Sequence, residues 1–262
     1  MPAAVLFALL CLAAQATASH ASTIVGIRTP VEVVIAADSL GTSRGNRIES
    51  TQLVCKIFTV RGAGFAIGGL TKDLPWEFDA EETVSGILGR RSTMSGAVND
   101  MAERLAGMLG SYLGKMKRRA PSLYAKTMAG EDGFITSVLL AAYENGQPVA
   151  AVIGFRGSED PAGNVKIESS RAVCPGDCPN GTMYFFLGER GPIDRHIAEH
   201  GKGGLLPAST GAPFLVRLVI DGGSKRVGPP VDVLVIDRHG ESWPARKAGC
   251  TGNPGTQGAA GQ

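Results

Sequence analysis

The chain has 262 residues, of which 44% are apolar and 19% charged, with a formal net charge of +2. That balance excludes a strongly acidic or basic chain and points to neither nucleic acid nor a membrane surface as partner. The length suits one large domain or two small ones built around a real core.

Residues 3–14 form an unbroken apolar run, too short to span a bilayer, and small residues follow it. This pattern predicts a secretory signal peptide over residues 1–21, with a retained apolar propeptide as the alternative. Cleavage after Ala21 would make Ser22 the first residue; cleavage after Ala18 would make it Ser19. Residues 23–27 and 31–37 then predict a β-hairpin ending on Asp38. Its second strand does not alternate, so both of its faces are expected to be buried. A polar loop is expected over 39–52, followed by strands over 54–60 and 64–69. Lys56 falls inside an apolar strand, where a buried ammonium needs a partner. Asp38 is the candidate partner; a solvated strand face is the alternative.

A short helix is expected over 79–88. A longer one starts near Ser95 and carries Val98, Met101, Leu105, Met108, Leu109, Tyr112 and Met116 along one face. Its basic end, 115–119, complements the helix dipole, with a binding patch as the alternative reading, and Pro121 stops the helix. Asn145-Gly146 predicts a hairpin between 134–143 and 148–155. A further strand pair is expected at 165–173 and 183–187, then helices at 192–200 and around 214–220. Residues 231–236 read as a buried strand, and His239-Gly240 turns the chain back toward Trp243. No repeat or linker divides the chain, so residues 22–248 are expected to form one domain, with a disordered tail over 249–262. Segregated strand and helix runs suit two packed sheets with helices outside.

Removing residues 1–21 removes Cys11 and leaves four cysteines, an even number that suits an exported protein. Pairing of Cys174 with Cys178 in their short loop would leave Cys55 with Cys250. Zinc is the rival use, but no second Cys/His pair stands at metal spacing, and His196 and His200 stand alone on a helix.

Ser22-Thr23-Ile24-Val25-Gly26, followed by Val33-Val34-Ile35-Ala36-Ala37-Asp38, resembles the opening of proteasome β-subunits and their bacterial relatives. These are N-terminal-nucleophile (Ntn) hydrolases. The resemblance implies an α+β fold, a four-layer α-β-β-α sandwich, and it is close over residues 22–71. It places the nucleophile on Ser22, the second residue on Thr23, the family acid on Asp38 and the family lysine on Lys56 in Val54-Cys55-Lys56-Ile57. Gly68 takes the oxyanion-donor position, and Asp221-Gly222-Gly223-Ser224 takes that of the helper Asp-x-x-Ser. Where the family has a serine between glycines, this chain has Gly188-Glu189-Arg190-Gly191.

The chemistry follows from the residue types. A serine at a free N-terminus carries its own general base, an α-amine with a pKa near 8. A lysine fixed beside it favours the neutral amine and the developing alkoxide. The expectation is an exported peptidase or amidohydrolase, secreted or periplasmic, with neither metal nor organic cofactor. Its substrate would be a peptide or a small amide, and it would lack a membrane segment in its mature form. Family members assemble into homo-oligomeric rings, although no residue here identifies such a contact. Two alternatives stand beside it. One is an acylase for small-molecule amides; the other is a non-catalytic binding or scaffold module, which Glu189-Arg190 supports.

Overall fold

The computed structural model describes residues 22–44, 49–130, 133–201 and 206–250. The expected signal peptide and the tail beyond Cys250 lie outside the described residues.

Thr23–Arg28 (β1) and Glu32–Asp38 (β2) form the opening hairpin, turned by Thr29, whose hydroxyl accepts from the Val31 and Glu32 amides. Leu40–Arg44 (β3) and Glu49–Leu53 (β4) form a two-stranded ribbon where a polar loop was expected. Ile57–Val60 (β5) and Ala63–Gly69 (β6) follow, then a small ribbon of Lys72–Asp73 (β7) and Phe78–Asp79 (β8).

Three helices come next: Ala80–Leu88 (α1), Met94–Arg119 (α2) and Pro121–Ala129 (α3). Asp79 caps α1 by accepting from Glu82 N–H, and Thr93 caps α2 by accepting from Gly96 N–H. Pro121 ends α2 but also opens α3, since a proline at the first helical position loses no bond.

The remaining elements are Thr136–Glu144 (β9), Gln147–Glu159 (β10), Val165–Cys174 (β11), Met183–Gly188 (β12), Gly191–His200 (α4), Ala208–Asp221 (α5), Val231–Asp237 (β13) and Gly240–Ala245 (β14). Asn145 and Gly146, at φ +51° and +78°, make the two-residue turn between β9 and β10.

One five-stranded sheet has the order β12-β1-β2-β13-β14, and another has β11-β10-β9-β6-β5. Every strand pairing among the described residues is antiparallel. An apolar cluster containing Ile24, Ile35, Ala66, Leu139 and Leu234 joins residues of both sheets. A second gathers the buried faces of α1 and α2 with Phe65, Val138 and Ile153, and a third joins α5 to Val25, Val34 and Val233.

The expected fold class, a four-layer α-β-β-α Ntn sandwich, is corrected. Among the described residues the structure is predominantly antiparallel β, 39% strand against 33% helix, with five α-helices and two five-stranded sheets. Strand exceeds the sequence expectation because backbone pairing needs no apolar run. The polar residues of β3 and β4 pair with each other, and the more exposed far end of β10 pairs with β11. A second correction concerns β11 and β12, which were expected to pair with each other. β11 lies on β10 and β12 lies on β1, so the Cys174–Cys178 loop is a crossover between sheets. That crossover brings the end of β12 beside Ser22.

Disulfides join Cys174 to Cys178 and Cys55 to Cys250. Among the described residues no helix is long and apolar enough to cross a membrane.

At the start of α1, burial, helped by the charge of Asp79, pushes the Glu81 carboxyl up to about 7 from an ordinary 4.5. The folded state therefore keeps this proton to higher pH than the unfolded chain does. The sign is a loss: stability falls as pH rises from about 4.5 through about 7. Glu81→Gln should raise stability at pH 8 by about 1–3 kcal/mol, toward the lower figure because the side chain is partly exposed, and change little at pH 4. Thermal melts at the two pH values check it.

Candidate active site

The site lies where β1 begins, between β2 and β12. Asp38, fully buried at the end of β2, collects four donors. Its Oδ1 accepts from Thr23 N–H at 2.8 Å and lies 2.6 Å from Lys56 Nζ. Its Oδ2 accepts from Leu40 N–H at 3.1 Å and from Gly228 N–H at 3.2 Å. An acceptor-only carboxylate suits such a set. Lys56 is only 6% exposed, so the ion pair is held away from water. The local sequence explains the arrangement. The apolar run of β2 carries Asp38 inward, and the residues before β5 bring Lys56 to it.

Ser22 is buried, and its carbonyl accepts from Glu189 N–H at 2.9 Å. No hydrogen bond of its hydroxyl is found among the described residues. Thr23 is committed otherwise. Its amide serves Asp38, and its hydroxyl donates to the Glu189 carbonyl at 2.8 Å. Thr23 thus anchors the strand end, and Ser22 keeps its oxygen free.

Gly188, paired with Thr23, makes this approach feasible. Its φ is +80°, and a Cβ there would run into the Ser22 carbonyl. Gly188→Ala should cost at least about 2 kcal/mol, combining left-handed strain with that collision. A denaturant midpoint unchanged from the parent would contradict the packing.

Gly68 on β6 faces Leu187; a Cβ there would sit 3.1 Å from the Leu187 Cβ and 3.9 Å from Ile24 Cδ1. It therefore packs against Leu187, the residue before Gly188, and against Ile24 of β1. Ser224 reaches the site indirectly, donating from Oγ to Glu189 Oε2 at 2.8 Å, with Arg226 3.7 Å from the same oxygen. Asp221 is exposed at the end of α5, with no hydrogen bond or ion pair among the described residues. The structure thus gathers Ser22, Thr23, Asp38 and Lys56, sets Gly68 beside them, joins Ser224 through Glu189, and leaves Asp221 outside.

No protein-family model matches the chain, and no curated protein is significantly similar to it.

Sequence reasoning missed Gly228 and the double role of Glu189. Gly228 was signalled only by the Gly-Pro-Pro run before β13, which marks a constrained strand entry. Glu189 stood out as a charged residue in a glycine-flanked turn, without a sign that its backbone would bind Ser22 and Thr23. Among the described residues no group of three or more His, Cys, Asp or Glu side chains is arranged to hold a metal ion.

Proposed function

We propose that the chain is an exported N-terminal-nucleophile hydrolase that cleaves amide bonds through an acyl-enzyme on Ser22. The observation that carries this reading is the buried Lys56–Asp38 pair, whose carboxylate also holds the amide next to Ser22. The residues resemble those of proteasome-like Ntn hydrolases, and the proposal rests on this site rather than on a fold class. Two disulfides support export to a secreted or periplasmic destination.

Removal of residues 1–21 would leave Ser22 with a free α-amine. That amine takes the hydroxyl proton, directly or through a water, while Oγ bonds to the substrate carbonyl carbon. The fixed charge of Lys56 favours both the neutral amine and the forming alkoxide. Gly68 N–H is the assigned oxyanion donor, a role worth roughly 2.7–4 kcal/mol in well-studied hydrolases. Collapse breaks the C–N bond, and the leaving amine takes the proton back from the α-ammonium. Water then hydrolyses the Ser22 ester. The substrate is a peptide or a small amide, and no metal or organic cofactor takes part.

A second reading, a binding module without turnover, has one observation in its favour. The hydroxyl of Ser224 is tied to the Glu189 carboxylate, and Asp221 is exposed with no bond to Ser224 among the described residues, so the helper pair is not assembled. A sulfonyl fluoride probe separates the two. The hydrolase labels on Ser22 and loses the label in Ser22→Ala, whereas the binding module stays unlabelled. Peptide and small-amide panels then separate peptidase from acylase.

A further inference from the structure

Three stretches far apart in sequence are joined at the candidate site: the start of β1, the turn 188–191 after β12, and residues 222–230 between α5 and β13. The bonds between them close a circuit. Asp38 Oδ1 accepts from Thr23 N–H at 2.8 Å, and the Thr23 hydroxyl donates to the Glu189 carbonyl at 2.8 Å. Glu189 Oε2 accepts from the Ser224 hydroxyl at 2.8 Å, and Ser224 Oγ accepts in turn from Arg226 N–H at 3.2 Å. Two residues on, Gly228 N–H returns to Asp38 Oδ2 at 3.2 Å, while the Gly228 carbonyl accepts from Ser39 N–H at 3.0 Å.

Glu189 joins the two halves of this circuit. Its N–H and C=O hold Ser22 and Thr23, and its carboxylate holds Ser224. Its neighbour Arg190 serves α4 instead, pairing with Asp194 at 2.6 Å. A surface ion pair alone would be served by Arg226, which stands 3.7 Å from the same Glu189 oxygen, yet the shorter bond goes to Ser224. Val227 anchors the 222–230 stretch by packing in the apolar cluster of α5. Apolar contact is non-directional, so it does not aim the Gly228 N–H. Hydrogen bonds do, since they weaken steeply away from the line of the donor.

We propose that Glu189 is a positioning residue. Through Ser224 it holds the 222–230 stretch so that Gly228 N–H meets Asp38, and Asp38 in turn keeps the Lys56 charge at a fixed point. The proposal rests on the hydrolase reading of Ser22, Asp38 and Lys56. It gives Ser224 a task that needs no helper acid, in keeping with the exposure of Asp221.

The test uses the mature, oxidised chain and four variants: Glu189→Ala, Glu189→Gln, Ser224→Ala and the Glu189→Ala/Ser224→Ala double. The first readout is Ser22 labelling by a sulfonyl fluoride over a range of probe concentrations. Glu189→Ala and Ser224→Ala should each lower the saturating rate at least about tenfold, the scale of a small misplacement, and leave the half-saturating concentration unchanged. The double variant should fall no further, because the two changes break one bond. Glu189→Gln keeps an acceptor oxygen for Ser224 and should restore the parent rate. Ser224→Ala, in a surface stretch, carries the test without the larger change at Glu189. An unchanged rate in Ser224→Ala, or additive losses in the double variant, overturns the positioning proposal; no labelling of the parent overturns the hydrolase proposal instead. The second readout does not depend on Ser22. Hydrogen exchange of the Gly228 amide, followed by NMR, should be at least about tenfold faster in Ser224→Ala than in the parent, as expected for a stretch released to open locally. Equal exchange rates overturn the positioning proposal whatever Ser22 does.

Discussion

Lys56→Ala is expected to reduce turnover at least about 100-fold, the scale on which a preorganised charge acts on a developing oxyanion. The same change should destabilise the protein. Removing one partner of a buried ion pair costs about 3–5 kcal/mol, because the other charge stays buried. Asp38 keeps the amides of Thr23, Leu40 and Gly228, which places the loss toward the lower figure. Lys56→Arg should not restore activity, since a planar guanidinium cannot put a compact charge at the same point. Initial rates on the best amide substrate, with a denaturant curve for each variant, measure both effects. An unchanged rate would remove Lys56 from the chemistry and leave it a structural cation.

A larger effect is expected at the chain start. Protein beginning at Ser22 should be active, and protein that keeps Ser19-His20-Ala21 should be inactive. In the longer form Ser22 has a peptide nitrogen in place of an amine, and a peptide nitrogen is not a base at any working pH. A start at Thr23 should be inactive too, for a reason visible in the site. The Thr23 nitrogen, as an amine, would stay engaged as a donor to Asp38, and its hydroxyl is already given to the Glu189 carbonyl. Preparing the three forms and assaying them side by side decides the matter. Equal activity of the longer form would show that no free amine is needed.

The parts of the fold that could be read from sequence share one property: their signals are local. The hairpin of β1 and β2 follows from two apolar runs, and the β9–β10 turn follows from Asn145-Gly146. The length of α2 follows from its apolar stripe and the proline after it. The Lys56–Asp38 pair was legible for a different reason. A lysine and an acid each placed against a buried run have few partners available.

Non-local pairing was not legible. Nothing in Met183–Gly188 says that it joins Thr23–Arg28 rather than its sequence neighbour Val165–Cys174, because either register buries alternate residues. Polar ribbons such as β3–β4 are held by backbone bonds that composition does not mark. For the same reason Asp221-Gly222-Gly223-Ser224 could be aligned as a unit, although its serine reaches Glu189 and its acid stays in water.

The central claim is that Ser22, once it is the first residue, is a nucleophile. The most direct measurement is covalent labelling of the exported protein with a sulfonyl fluoride, followed by intact mass, N-terminal sequencing and peptide mapping. The expected result is one adduct per chain, on Ser22 of a chain that begins at Ser22, and no adduct in Lys56→Ala on the same timescale. A chain that begins at Ser22, is folded and oxidised, and remains unlabelled would contradict the claim.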